Sequence, residues 1–377
     1  MASIVNRALE RRAFVAALPA ALVAACPAAV VMAQGVAPSR YPSRYPAMVA
    51  AATREGAVVV HSTTDAFAAA PLIEDFNAVY PNIAVRYQEY SSAEIYSEFL
   101  AKASDADDRP DVLWSSAMDL QVKLVNDGHA QRYSSPEAQH LPSWAIWKDE
   151  AYGTTFEPVG FAYDKRQLAA HEVPHTRRDF VRLIESDPLR FMRKVVTYDL
   201  ENSGLGFLLA TQDAKTADLL WDVARALGKA RAREVPTTAA MLQSLASGES
   251  LLAYNVLGAY AQAKMREAPS IGFVYPQDYT LVGTRIAFIS RRAAHPDAAR
   301  LWLDHLLSKR GQSVLAKQSG LFAVRRDAQL EPPAGSSTSE LAVRPRPIAI
   351  GPSLMAYLDR HKRQDFLQQW KRALARQ

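Results

Sequence analysis

The chain of 377 residues has a single cysteine, Cys26, inside an apolar N-terminal stretch. If that stretch is removed, the mature chain has no thiol. Disulfides, thiolate metal sites and a cysteine nucleophile then drop out. The net positive charge is also mild. Of the net charge of +5, Met1 to Ala33 carries +2 (Arg7, Arg11 and Arg12 against Glu10), which leaves +3. No basic stripe is interleaved with aromatics, so nucleic acid is not expected as a partner. Catalytic signatures are absent too. There is no G-x-S-x-G elbow and no Walker A run, and Gly204-Leu205-Gly206 lacks the third glycine of a dinucleotide loop. His171-Glu172-Val173-Pro174-His175 spells a zinc-peptidase pattern, but Pro174 breaks the helix that would put both imidazoles on one face. Asp105, Asp107 and Asp108 lack the glycine and terminal Glu of a calcium loop. Nothing assembles nucleophile, base and orienting group, so an enzyme is not expected and no cofactor is called for.

What is present begins with an export leader. Arg7, Arg11 and Arg12 precede an almost wholly apolar run from Phe14 to Met32, and Val31-Met32-Ala33 fits a small-x-small cleavage site. Arg11-Arg12-Ala13-Phe14-Val15 is similar to a twin-arginine signal, with Glu10 where Ser or Thr is usual. Val23-Ala24-Ala25-Cys26 is similar to a lipobox, though Pro27 follows directly. Soluble release into the periplasm is favoured over lipid anchoring at Cys26. No other segment could cross a membrane.

Beyond the leader, strand, hydroxyl loop and helix recur. Val58-Val59-Val60 reads as a buried strand that ends in Ser62-Thr63-Thr64-Asp65. Ala66 to Tyr80 follows with helical spacing of Leu72, Phe76 and Val79. Ile83, Val85 and Tyr87 alternate as a second strand, and Ser91 or Ser92 caps the next helix. Asp111 to Trp114 is a third strand ending in Ser115-Ser116, before a helix that stops at Gly128. Three such loops on successive units of one sheet gather at one edge. There, helix N-termini and hydroxyls suit an anion.

Further on, Tyr152 to Asp164 is extended and alternating, a candidate crossing to a second lobe. Leu281 to Ser290 is a candidate return. Between them, Asn202-Ser203-Gly204 opens a helix after a strand, and Leu251 to Asn255 is another strand. Thr176 reads as a helix cap, as does Thr237 or Thr238. Pro296 starts a long helix pair, Glu331 to Pro347 reads as loop, and Ser353 to Ala375 as a final amphipathic helix.

The order of several stretches resembles the type II periplasmic substrate-binding proteins of ABC transporters. The nearer resemblance is to the group of ferric-iron, hexose-phosphate and phosphoglycerate binders. The stretches are Val58–Asp65, Arg109–Trp114, Gly248–Asn255, Asp278-Tyr279-Thr280 leading into Ile286–Ile289, and Pro296–Ala299 before Leu306–Gln312. The resemblance implies an α/β fold of two lobes, each a sheet flanked by helices, joined by two extended hinge segments. Residues 1–33 would be the leader and 34–157 the first lobe. Residues 158–281 would form the second lobe, 282–330 the return, and 331–377 a C-terminal loop and helix packing on the lobes. Ferric binders of this group use tyrosine pairs, whereas here the tandem position reads Tyr254-Asn255. A small phosphorylated or carboxylated solute is therefore expected, with no metal; a ferric-iron binder is the alternative that the resemblance leaves open. Its expected ligands are Ser62, Thr63, Thr64, Ser91, Trp114, Ser115, Ser116, Asn202, Ser203, Gly204, Tyr254, Asn255 and Tyr275. The partner would be an inner-membrane ABC permease or, in a sensory role, a membrane kinase, and the protein a monomer.

Overall fold

A computed structural model of the protein describes residues 42–101, 109–328 and 344–375. The export leader, Asp105, Asp107 and Asp108 lie outside the described residues, as does most of the expected loop after Glu331.

The first sheet grows from the leading strand–loop–helix units. Helix α1 (Tyr45–Glu55) ends at Gly56, whose φ of 71° is a left-handed stop suited to glycine. Then follow β1 (Ala57–Ser62), α2 (Ala66–Val79), β2 (Ala84–Glu89), α3 (Ser92–Ala101), β3 (Val112–Ser115), α4 (Met118–Asn126), β4 (Ile146–Trp147) and β5 (Ala151–Gly153). Every residue of β1 is buried, because it lies between β2 and β3 with both faces covered. Edge strand β2 instead alternates, turning Val85 and Tyr87 inward.

The chain then leaves this sheet. Thr154 to Phe156 carry it from β5 to β6 (Glu157–Asp164), which opens a second sheet. That lobe continues with α5 (Arg177–Ser186), α6 (Pro188–Phe191), β7 (Val195–Tyr198), α7 (Gly204–Thr216), α8 (Leu220–Lys229) and β8 (Arg233–Val235). It is completed by α9 (Thr238–Ala246), β9 (Leu252–Leu257), α10 (Gly258–Glu267), β10 (Ile271–Val274) and β11 (Thr280–Gly283). Thr284-Arg285 lead back to β12 (Ile286–Ile289) in the first sheet, followed by α11 (Pro296–Leu307) and α12 (Lys309–Lys317). Last come β13 (Pro345–Pro347) and α13 (Arg360–Ala375).

Strand order is β2-β1-β3-β12-β5-β4 in the first sheet and β13-β11-β6-β9-β7-β8 in the second, with β10 also on β6. Strand β12 runs antiparallel to β3, and β6 to β9. The two crossings lie side by side. Thr154 N–H donates to the Arg285 carbonyl at 2.9 Å, and Arg285 N–H donates to Thr155 Oγ1 at 2.8 Å. This is a mixed α/β fold of two helix-flanked sheets joined by two extended hinge segments.

Two readings need correction. Pro345–Pro347, placed in a loop, form an edge strand parallel to β11; an edge tolerates proline because one side of the strand needs no ladder donor. The final helix is broken. Pro352–Tyr357 is a 3-10 turn, and α13 starts only after Asp359, whose Oδ1 accepts Lys362 N–H at 3.0 Å. The turn packs on α4 of the first lobe and α13 on α8 of the second, so the C-terminal stretch touches both.

Candidate functional site

Thr63 is the centre of the first-lobe loops. Its N–H donates to the Trp114 carbonyl at 3.0 Å, which fixes the β1–α2 loop against the end of β3. Its Oγ1 accepts Ser116 N–H at 3.0 Å and lies 3.3 Å from Ser116 Oγ and 3.5 Å from Ser115 Oγ. Ser62 Oγ accepts Thr64 N–H and Ser115 Oγ accepts Ala117 N–H, so both turn their loops toward the following helices. Thr64 is buried, and its backbone carbonyl accepts the Tyr87 hydroxyl. Ser91 caps α3 through a reciprocal pair with Glu94.

The second lobe answers across the gap. Ser203 caps α7 by accepting Gly206 N–H, and exposed Asn202 donates its amide to Asp199 at 2.7 Å. The Gly204 N–H, one of the free donors of that helix end, reaches Ser92 Oγ of the first lobe at 3.1 Å. A Cβ at Gly204 would lie 3.0 Å from Ser92 Oγ and 3.4 Å from the Ala117 Cβ. The N-termini of α3, α4 and α7, from both lobes, therefore converge, and their dipoles add in sign.

At the hinge stands Arg285, 2% exposed. Its Nε lies 2.8 Å from Glu157 Oε1, although that N–H is poorly aligned, so the contact is an ion pair rather than a good hydrogen bond. Nη1 donates to the Thr63 carbonyl at 3.1 Å and Nη2 to the Tyr260 hydroxyl at 3.2 Å. That hydroxyl in turn donates to Asp65 at 2.5 Å. Burial works against the guanidinium charge, but Glu157 together with Tyr260, Tyr87 and Asp65 outweighs it, so Arg285 is held ionised. Burial likewise drives the Tyr260 phenol well above its ordinary range and keeps it a donor.

Several expected ligand residues lie elsewhere. Trp114 is fully buried in the first-lobe core, its indole N–H on Thr154 Oγ1 at 2.7 Å. Tyr254 is turned into the second lobe, where it donates to Asp213 Oδ2 at 3.0 Å and accepts Arg177 Nε–H at 3.0 Å. Asp213 also receives Arg177 Nη2 (2.9 Å), the Tyr279 hydroxyl (2.9 Å) and the Asn255 amide (2.8 Å). Asn255, at φ 60°, sits at a register shift between β6 and β9, and the amide bond to Asp213 holds it there. Tyr275 packs edge-on against Phe273 beside Gly258 at the start of α10. The stretches around Tyr254 and Asp278-Tyr279 are thus parts of one buried polar hub. His171 and His175 are exposed around a 3-10 turn (Ala170–Glu172), and Glu172 pairs with Arg190.

Sequence reasoning missed Arg285, Tyr260, Arg177 and Asp213. One signal was available. Asp213 follows Leu209 by four residues and Ala210 by three, which puts a carboxylate on the buried stripe of α7.

Two helix-flanked sheets, a paired hinge and helix ends meeting from both sides define a two-lobed ligand-binding protein. Residues 107–340 match the bacterial extracellular solute-binding protein family, and the chain belongs to it. A crystal structure of the substrate-binding protein of an ABC transporter from Agrobacterium tumefaciens is 37% identical, covering 84% of this chain and 94% of that one, with a TM-score of 0.78. The fold is shared with AfuA of Actinobacillus pleuropneumoniae, described with fructose-6-phosphate bound (17% identity, 85% and 99% coverage, TM-score 0.68). It is shared equally with iron-bound HitA of Pseudomonas aeruginosa (16%, 84% and 99%, TM-score 0.66). Comparison with curated proteins returns no significant match. The family consists of periplasmic solute-binding proteins of ABC transporters, not enzymes.

Proposed function

We propose that the protein is the receptor of an importer, exported to the periplasm, and that it holds a small phosphorylated or carboxylated solute between its lobes. The observation that carries this reading is the meeting of the α3, α4 and α7 N-termini beside the hydroxyls of Thr63, Ser115 and Ser116. Uncharged donors and helix ends bind an anion without needing a counter-charge of their own. Beside the hydroxyl loops, Arg285 matches Glu157 and the Tyr260 phenol binds Asp65, which moderates those two carboxylates. The solute would contact both lobes and favour closure about the hinge. The protein acts as a monomer that hands its solute to an inner-membrane permease.

Calorimetry with a panel of phosphate- and carboxylate-bearing solutes tests this. A hydrogen bond to a charged group is worth about 1.5–3 kcal/mol, so Thr63→Ala should weaken binding roughly tenfold to a hundredfold. Lower melting temperature with unchanged affinity would mean the loop hydroxyls only shape the helix ends. Tight ferric-iron binding, with no affinity for any anionic solute, would overturn the solute class.

A further inference from the structure

A cavity of about 240 Å³ opens where α3, α4, the loop before α7 and the C-terminal segment meet. Its walls include Asp119 and Lys123 from the first lobe, Glu201 and Asn202 from the second, and Arg363 from α13. Two of the lining charges are already matched outward. Lys123 pairs with Asp127 at 2.6 Å and Glu201 with Lys371 at 2.7 Å. The other two are not.

Asp119 is 3% exposed, and its Oδ1 accepts the Leu120 N–H at 2.9 Å. Among the described residues no cation lies within ion-pair distance of it. Its carboxyl is pushed up to about 6 by burial, against the pull of Arg363. The Arg363 guanidinium rests on the Phe207 ring at 4.1 Å, likewise without a carboxylate in ion-pair range among the described residues. A buried carboxylate and a half-buried guanidinium thus face one cavity without an ion pair between them. Leaving such charges unmatched is costly, and a solute that carries both opposite charges matches them at once. The volume, just under the usual range of about 300–1,000 Å³ for ligand pockets, limits it to a small molecule.

We propose that this cavity, which borders the start of α7 at Asn202 and Gly204, is a second binding site beside the hydroxyl loops, for a small zwitterion whose cationic end meets Asp119 and whose anionic end meets Arg363. An amine and a carboxylate separated by a short chain carry both charges in one small molecule. Occupancy would tie the first lobe to α13 and hold the C-terminal segment in place.

Calorimetry on the purified full chain with glycine, β-alanine, 4-aminobutanoate and 5-aminopentanoate tests the proposal, with acetate and ethylammonium as single-charge controls. One chain length should bind better than the rest and better than either control. Asp119→Asn and Arg363→Gln should each weaken it by about tenfold to a hundredfold. Saturating inorganic phosphate, the probe for the hydroxyl loops, should not displace it; this result does not depend on whether the loops bind phosphate at all. Failure of every amino acid to bind, equal binding by a control, or binding that survives both substitutions would overturn the proposal. So would displacement by phosphate. A double-mutant cycle without added solute should show only weak coupling, that of charges that feel each other without pairing; coupling as strong as a direct ion pair would mean that no zwitterion is needed and would overturn the proposal.

Discussion

Replacing Arg285 by Met removes a cation that touches both lobes at the hinge while keeping a long apolar stem. Arg285 and Glu157 are each 2% exposed and 2.8 Å apart. Without the guanidinium, the Glu157 carboxylate still accepts the Thr155 hydroxyl at 3.1 Å, which does not offset its charge. Removing one partner of a buried pair costs about 3–5 kcal/mol, chiefly because the other charge is stranded. The links to the Thr63 carbonyl and Tyr260 hydroxyl go as well. Urea denaturation of Arg285→Met should therefore show a loss of that size. Arg285→Met combined with Glu157→Gln should be more stable than Arg285→Met alone, because the stranded charge is gone. Small-angle scattering should show the single variant more expanded than wild type, since the bridge from Thr63 to Tyr260 no longer joins the lobes. A loss below about 1 kcal/mol, or a double variant showing the plain sum of both losses, would refute the reasoning.

The second-lobe hub responds in the same way. Arg177→Met leaves buried Asp213 without its guanidinium partner and should cost about 3–5 kcal/mol in denaturation; an unmoved curve would show that Tyr254, Tyr279 and Asn255 suffice. Asp304 gives a pH test. Burial raises its carboxyl from 3.8 to about 7, between the hydroxyls of Tyr133 and Ser135, each at 2.6 Å. The folded protein then binds a proton that the unfolded chain has released. That contribution favours folding at acid pH and fades as pH climbs from about 4 to 7, by up to roughly 1.4 kcal/mol per unit. Asp304→Asn should thus gain stability relative to wild type between pH 4.5 and pH 7.5; an equal difference at both would refute the assignment.

The sequence alone determined the local pieces. Thr176, Ser203 and Thr237 cap their helices as their type and position dictate, since a cap is decided within a few residues. Gly56, Gly128 and Gly248 adopt left-handed φ for the same local reason. The repeated strand–loop–helix order placed Thr63, Ser115 and Ser116 on one sheet edge, because parallel neighbours send their loops to the same side. Tertiary structure decided everything that depends on distant partners. Tyr254 turns inward because Asp213 and Arg177, 41 and 77 residues away in sequence, wait there for its hydroxyl. Arg285 is a hinge residue only because Glu157, Thr63 and Tyr260 come together around it. A proline-rich stretch becomes strand β13 only because β11 offers an open edge. Capping and turn preferences are settled over short range by backbone sterics and side-chain hydrogen bonds. The partner of a buried charge is settled by which segments the packed core brings together, and no single stretch of sequence records that.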